Sequence, residues 1–171
     1  MPLLAITVLG HDRPGIIAET TGVLAELGLN IEDSTMTLLR GHFAMMLITD
    51  GSSDASSVEE ALRGLTADGS LSVSVREVPA ESVSSRGSAY LLSVHGGDRP
   101  GIVSSVVAEV AAVGGNITDL TTRLAGDLYV VIAEVDLPGS ADPAGLQAAL
   151  ETAAGQLGVE VTLRPLDSDE L

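Results

Sequence analysis

The chain has 171 residues, 45% of them apolar and only 2% aromatic, which allows one domain or two small ones with an aliphatic core. Its net charge is −16 and it has no lysine, so it lacks the basic surface that binding to a nucleic acid or an anionic membrane requires. The absence of cysteine excludes disulfides and thiolate metal sites. The first residues are typical of neither a signal peptide nor a membrane span, which predicts a cytoplasmic protein.

A strand and a helix are predicted at the start of the chain. The segment LLAITVL (3–9) has the alternation and β-propensity of a strand. Pro14 suits the first position of a helix, where its missing N–H costs nothing, and Gly28 suits the helix end. Six side chains define the buried face predicted for this helix: Ile16, Ile17, Thr20, Val23, Leu24 and Leu27.

Two strands, a second helix and a last strand follow. NIEDSTMTLL (30–39) and FAMMLIT (43–49) predict a hairpin around a tight turn, and LSVSVREV (71–78) predicts the last strand. The face predicted for the second helix contains Val58, Ala61, Leu62 and Leu65. The order βαββαβ with right-handed crossovers predicts a four-stranded antiparallel sheet with both helices on one face. This is the ferredoxin-like arrangement of the α+β class.

The same pattern occurs twice along the chain. Residues 11–50 align with residues 97–136 without a gap, and thirteen of these forty positions are identical. The string DRPGI recurs, and so do the two asparagines, Asn30 and Asn116, which are the only ones in the chain. Two repeats of this length predict a duplicated domain rather than a solenoid.

The duplication predicts two domains with defined boundaries. We expect the first domain at 1–78 and the second at 88–166. The polar segment PAESVSSRG (79–87) contains the Pro, Ser and Gly residues of a linker. The last five residues, 167–171, predict an acidic, solvated tail.

Two predicted strands are apolar at nearly every position, FAMMLI (43–48) and LYVVIAEV (128–135). This composition is typical of strands that are covered on both faces. Because the predicted helices cover one face only, the other face or the sheet edge is expected to meet the other repeat or another copy of the chain. We therefore predict a domain pair within the chain that can also form a homodimer.

The repeated corner and the repeated asparagine are candidate binding groups. The N–H groups of Gly15 and Ile16 at the helix start favour an anion such as an α-carboxylate. Asp12 favours an α-ammonium group, and Asn30 offers both a donor and an acceptor. The crossover topology places Asp12 and Asn30 at opposite ends of one unit, so they can meet only across an interface. The chemistry suits a free amino acid, whereas the structural alternative is that Asp12 caps the helix.

Two other classes of function stay open. Arg13 and Asn30 resemble the loop arginine and strand asparagine of an acylphosphatase-like hydrolase, although Pro14 removes an N–H from its phosphate cradle and Asp12 repels phosphate. A protein-interaction module without a ligand would use the same sheets. The sequence contains no nucleophile–base constellation and no metal or cofactor motif, so we predict a protein that is not an enzyme and has no cofactor.

A βαββαβ unit with DRPGI at the first corner, and GLNI (28–31) or GGNI (114–117) opening the second strand, resembles the ACT domain. This is a small regulatory module that binds amino acids. Two such units in tandem resemble the glycine cleavage system transcriptional repressor family, over essentially the whole chain outside the linker and the tail. The resemblance implies a non-catalytic protein that senses a small amino acid at domain interfaces and acts through a partner protein.

The resemblance also implies a set of ligand-binding residues. In this family the ligand is held by the first loop, the helix start and the opening residue of the second strand. Carried over, these residues are Asp12, Gly15, Ile16 and Asn30 in the first repeat and Asp98, Gly101, Ile102 and Asn116 in the second. Some members have a histidine two residues before the aspartate, where this chain has Gly10 and Gly96. His11 is replaced by Gly97 in the second repeat, so the two sites need not bind equally.

Overall fold

Two four-stranded antiparallel sheets, each with helices packed on one face, make up the described part of the chain. The computed structural model describes residues 3–81 and 87–166. The chain divides into two units, Met1–Ser82 (unit one) and Val83–Leu171 (unit two). The predicted ferredoxin-like α+β fold is confirmed. The predicted linker lies partly, and the predicted acidic tail wholly, outside the described residues.

The described residues of unit one form four strands and three helices. Their bounds are β1 Leu3–His11, α1 Ile16–Glu26, β2 Asn30–Leu39, β3 His42–Asp50, α2 Ala55–Ala61, α3 Arg63–Thr66 and β4 Leu71–Val78. The strand order in the sheet is β2-β3-β1-β4, and all neighbours are antiparallel. Strand β2 is therefore at an outer edge of the sheet.

Unit two repeats this arrangement with one long second helix. Its elements are β5 Ser88–Gly97, α4 Ile102–Ala112, β6 Asn116–Ala125, β7 Leu128–Leu137, α5 Pro143–Leu157 and β8 Val159–Pro165. The strand order is β6-β7-β5-β8, again antiparallel throughout. Strand β6 is the edge strand that corresponds to β2.

The core of unit one lies between the sheet and the helices. Alternate residues of the two central strands point toward the helices and are buried: Leu4, Ile6 and Val8 in β1, and Phe43, Met45 and Leu47 in β3. Helix α1 contributes Ile16, Thr20 and Leu24, and the Thr20 hydroxyl donates to the Ile16 carbonyl at 2.8 Å, which satisfies its polar group. The predicted face of α1 is correct except at Ile17, which is 43% exposed and lines an open cleft together with Met36 and Leu38 of β2.

Helix α1 begins at Ile16, so the prediction that Pro14 is its first residue is wrong by two positions. Gly15 is the N-cap, with φ 90° and ψ 0°, and no side chain caps the helix. Gly101 has the same left-handed conformation, with φ 91°. A Cβ at Gly15 would meet no atom within 4 Å, so glycine is needed for the backbone conformation and not for space. The alternative role of Asp12 as a helix cap is thereby excluded.

The second helix of unit one is divided into α2 and α3 at Leu62. Three of the four predicted core residues, Val58, Leu62 and Leu65, are buried, whereas Ala61 is exposed. Asp54 is the N-cap of α2 and accepts a hydrogen bond from the Ser57 N–H at 2.8 Å. This bond, with a further contribution from the Ser57 hydroxyl, lowers the pKa of Asp54.

We expect Asp54→Ala to lower the melting temperature of unit one at about pH 7, where the capping carboxylate is ionised. Because folding depresses the pKa of Asp54, its contribution is present above the ordinary carboxyl pKa and is lost as the pH falls through the folded value. Circular dichroism melting curves at about pH 7 and about pH 3 should therefore show a difference that shrinks at the lower pH. Glu59→Ala, on the same helix, is the control. A difference independent of pH would contradict the role of the charge.

The face of each sheet opposite the helices is open within its own unit. Met46 of β3 and Ile132 of β7 point to this face and are 46% and 44% exposed. That the other repeat or another copy of the chain covers these faces stays a prediction. Within the described residues, none of the helices is long and apolar enough to cross a membrane.

Candidate functional site

Asp12 and Asn30 lie at opposite edges of the sheet in unit one, where an edge is the row of strand ends on one side and not the outer strand. At one edge, where β1 ends, the Asp12 N–H donates to the Gly41 carbonyl at 2.9 Å. At the other edge, Asn30 opens β2 and faces Asp50 across the ladder. The length of β2 separates the two edges by roughly 30 Å. As the topology predicts, one small ligand cannot touch both residues within a single unit.

Unit two has the same arrangement. Asp98 follows the end of β5, where Gly97 pairs with Leu128, and Asn116 faces Asp136 at the opposite edge. We refer to residues 12–16 and 98–102 as the corners. We refer to the pairs Asn30/Asp50 and Asn116/Asp136 as the Asn edges. The eight predicted site residues thus form four separate groups, two corners and two Asn edges.

The corner of unit one borders an open cleft of about 330 Å³. The loop and the start of α1 form its polar wall, with Asp12, Arg13 and Gly15. Strands β2 and β3 form its apolar wall, with Met36, Leu38 and Phe43. Met36 and Leu38 are 43% and 48% exposed, because α1 does not reach over β2. The cleft therefore combines the first N–H groups of a helix and a carboxylate with an apolar surface.

Two predicted site residues have buried side chains. Ile16 and Ile102 are each the first residue of a helix, and their side chains belong to the cores of units one and two. Only their backbone N–H groups remain for a ligand. Asp12, Gly15, Asp98 and Gly101 are exposed at the corners.

Arg13 forms an ion pair that its position in the motif did not predict. Its guanidinium donates to Glu19 at 3.1 Å, across the first turn of α1. It is also near Asp68, whose pKa is lowered mainly by hydrogen bonds from Ser70 and to a smaller extent by Arg13. In unit two, Ser105 occupies the position of Glu19, so Arg99 lacks that partner. The two corners therefore have the same residues but differ in the charge of the helical turn beside them.

The Asn edges contain two carboxylates that the sequence reasoning missed, Asp50 and Asp136. Each faces an asparagine directly across the ladder between two strands. In unit two this edge opens on a cleft of about 580 Å³. One signal could have found these residues: both copies of the aligned block end on an aspartate, Asp50 in the first repeat and Asp136 in the second.

The acylphosphatase-like alternative requires the loop that contains Arg13 to hold a phosphate while Asn30 holds a water beside it. The structure places these residues at opposite edges of the sheet in unit one. The pairing of Arg13 with Glu19 also neutralises the guanidinium that such a site would need. The geometry of unit one is therefore incompatible with that mechanism.

A family model, described as the ACT domain, matches residues 2–76 and 88–164. The chain is similar to the glycine cleavage system transcriptional repressor of Escherichia coli K12, with 28% identity over 167 residues that cover 92% of this chain and 86% of the relative. It is also similar to a UPF0237 protein of Methanopyrus kandleri, with 50% identity over 50 residues that cover 29% of this chain and 56% of the relative.

Two solved structures resemble the fold along nearly the whole chain. An unknown protein from Galdieria sulphuraria has a TM-score of 0.82 and 29% identity, with 97% of this chain and 99% of that chain covered. A candidate glycine cleavage system transcriptional repressor has a TM-score of 0.72 and 18% identity, with 98% of both chains covered. The second likeness concerns the fold alone. Because the family model matches both βαββαβ repeats, the chain belongs to the ACT domain family, with one ACT domain in each unit.

Proposed function

We propose that this protein is a non-catalytic regulator that binds a small amino acid at interfaces between ACT domains and acts through a partner protein. The observation that carries the proposal is the duplicated separation of a corner from an Asn edge. Each unit presents the two complementary groups of residues roughly 30 Å apart. An interface between units could bring the corner of one against the Asn edge of another.

The chemistry of these groups matches a zwitterion. The helix-start N–H groups of Gly15 and Ile16, or of Gly101 and Ile102, favour an α-carboxylate. Asp12 or Asp98 attracts the ammonium group, and the carboxamide of Asn30 or Asn116 both donates and accepts hydrogen bonds. The apolar wall of the corner cleft in unit one leaves room for a small side chain.

The regulatory part of the proposal rests on the family and on the charge. A relative along the whole chain is described as a transcriptional repressor. With a net charge of −16, this chain is not suited to contact DNA directly, so we propose that ligand binding is transmitted to a partner protein. A ligand held between domains would favour one relative orientation of them, which a partner can recognise.

The test is a thermal-shift screen against each proteinogenic amino acid at millimolar concentration. A ligand that binds the native state raises the melting temperature, with stabilisation of about 2.7 kcal/mol at a concentration 100 times its Kd. We expect the double variant Asn30→Ala/Asn116→Ala to lose most of this shift. Gln156→Ala, which removes an exposed carboxamide from α5, is the matched control and should keep it.

The same experiment separates this proposal from a protein-interaction module. No shift with any amino acid would contradict ligand binding and favour the interaction module. A shift that both variants retain would contradict the assigned asparagines. Light scattering with and without the ligand then measures whether binding promotes the homodimer that we propose.

A further inference from the structure

Both asparagines of the chain face an aspartate at the same position in the fold. Asn30 is opposite Asp50 and Asn116 is opposite Asp136, in the same register between the second and third strands of each unit. Within the described residues, no hydrogen bond links any of these four side chains to one another or to another residue. A pair that served only to join two strands would be expected to bond to itself or to the adjoining loop. The arrangement instead leaves a carboxylate and a carboxamide side by side and open to a ligand.

In unit two the pair is at the wall of the 580 Å³ cleft. Gly87, Gly114 and Gly139 also line it, so the backbone forms much of its surface. A Cβ at Gly87 would be 3.1 Å from Oδ1 of Asp136, which shows that this carboxylate lies against the Gly87 backbone. Asp136 is partly buried and has no ion pair in the parts of the chain that the structure describes. A partly buried carboxylate of this kind favours a cation that can also donate hydrogen bonds.

We propose that the cleft bounded by Asn116 and Asp136 binds the ammonium group of a small primary amine, with Asp136 as the counter-charge. An ammonium group has three donors, and the Asp136 carboxylate, the Asn116 carbonyl oxygen and the Ser88 hydroxyl, which also lines the cleft, supply three acceptors. This assignment rests on the proposed function in one respect, because that function makes Asn116 a ligand-binding residue, and Asp136 then supplies the charge beside it.

Asp98 and Asp136 are then two candidate partners for the same ammonium group. Asp136 belongs to the same unit as Asn116 and faces it directly, whereas a corner aspartate reaches Asn116 only across an interface with another unit. The helix-start N–H groups of a corner remain available for the ligand's carboxylate. At an interface, the corner of one ACT domain would then bind the carboxylate of a zwitterion, and the Asn edge of another would bind its ammonium group.

The test is a titration followed by amide chemical shifts in two-dimensional NMR, with two probes that each carry one end of an amino acid. Glycinamide keeps the ammonium group and lacks the carboxylate, whereas N-acetylglycine keeps the carboxylate and lacks the ammonium group. We expect glycinamide to shift the amides of Ser88, Gly114 and Gly139 in the unmodified protein, and N-acetylglycine to leave them in place. Asp136→Asn should weaken glycinamide binding at least ten-fold.

Asp127→Asn is the matched control for this titration. It makes the same change of charge in the exposed turn at the opposite end of β7, and it should leave binding unchanged. Preserved amide dispersion in both variants verifies that they are folded. The proposal is overturned if glycinamide does not shift these amides, or if Asp136→Asn binds it as well as the unmodified protein does.

The outcomes for the cleft and for the proposed function are distinguishable. If glycinamide binds at Asp136 while no amino acid raises the melting temperature, the cleft assignment stands and the amino acid sensor does not. If amino acids stabilise the protein and Asp136→Asn does not change the amide shifts that either probe causes, the sensor stands and the cleft assignment is wrong.

Discussion

Replacing Phe43 with alanine is expected to lower the free energy of unfolding of unit one by about 3–5 kcal/mol. Phe43 is the only phenylalanine of the chain and is 2% exposed. It lies in the core formed by β1, β3 and α1, where the aliphatic neighbours cannot fill the space that a ring leaves. Equilibrium denaturation in urea, followed by circular dichroism, measures the loss. Because the chain has two units and the substitution destabilises only unit one, unit one of the variant should unfold in a separate transition at a lower urea concentration.

Two variants control this result. Phe43→Leu keeps most of the volume and should cost clearly less than the alanine variant. Tyr129→Ala truncates the equivalent position in unit two, which is only partly buried, and should affect the other transition by a smaller amount. A loss below about 1 kcal/mol for Phe43→Ala would show that the core can collapse around the missing ring.

The second large effect is expected for Gly10→Ala, through a steric clash at the end of β1. An added Cβ would overlap the Ser70 carbonyl oxygen and lie 2.9 Å from the Leu71 Cα. Both are backbone atoms, so β1 and the start of β4 would have to move apart. That movement also weakens the hydrogen bond from the His11 N–H to the Ser70 carbonyl, at 3.1 Å. We expect a loss of about 1–3 kcal/mol in unit one, measured as above.

Gly22→Ala is the matched control for this clash. Gly22 is exposed within α1, and a Cβ there would meet no atom within 4 Å. The same change of residue should therefore raise the stability of unit one by about 0.5–1 kcal/mol, because alanine is the better helix former. Equal effects at Gly10 and Gly22 would contradict the predicted overlap.

The fold was predictable because it depends on periodicity and repetition. Alternation identified the strands, the 3.6-residue period identified the helices, and the crossover rule selected one topology. The start of α1 was not predictable in the same way. Pro14 fits the first position of a helix, yet the left-handed conformation of Gly15 delays the helix to Ile16. Hydrophobic periodicity specifies which side of an element is buried, and it does not specify where the chain turns.

The candidate site was predictable only as separate pieces. Repetition identified Asp12 and Asn30, and topology correctly separated them. The two aspartates of the Asn edges were overlooked because Asp50 and Asp136 become neighbours of the asparagines only through strand register. The ion pair of Arg13 with Glu19 was likewise hidden, since it spans an irregular turn whose geometry no spacing rule describes.

The glycine at each corner has a consequence for how the two repeats can diverge. Because Gly15 and Gly101 direct the chain into the helix by backbone conformation alone, no side chain at the corner is needed to start the helix. Positions in the first helical turn beside the corner can therefore change without removing a helix cap. Glu19 in α1 and Ser105 in α4 are an example, although the corners themselves are identical in the two repeats. A duplicated protein built in this way can evolve two different ligand specificities while it keeps a single architecture.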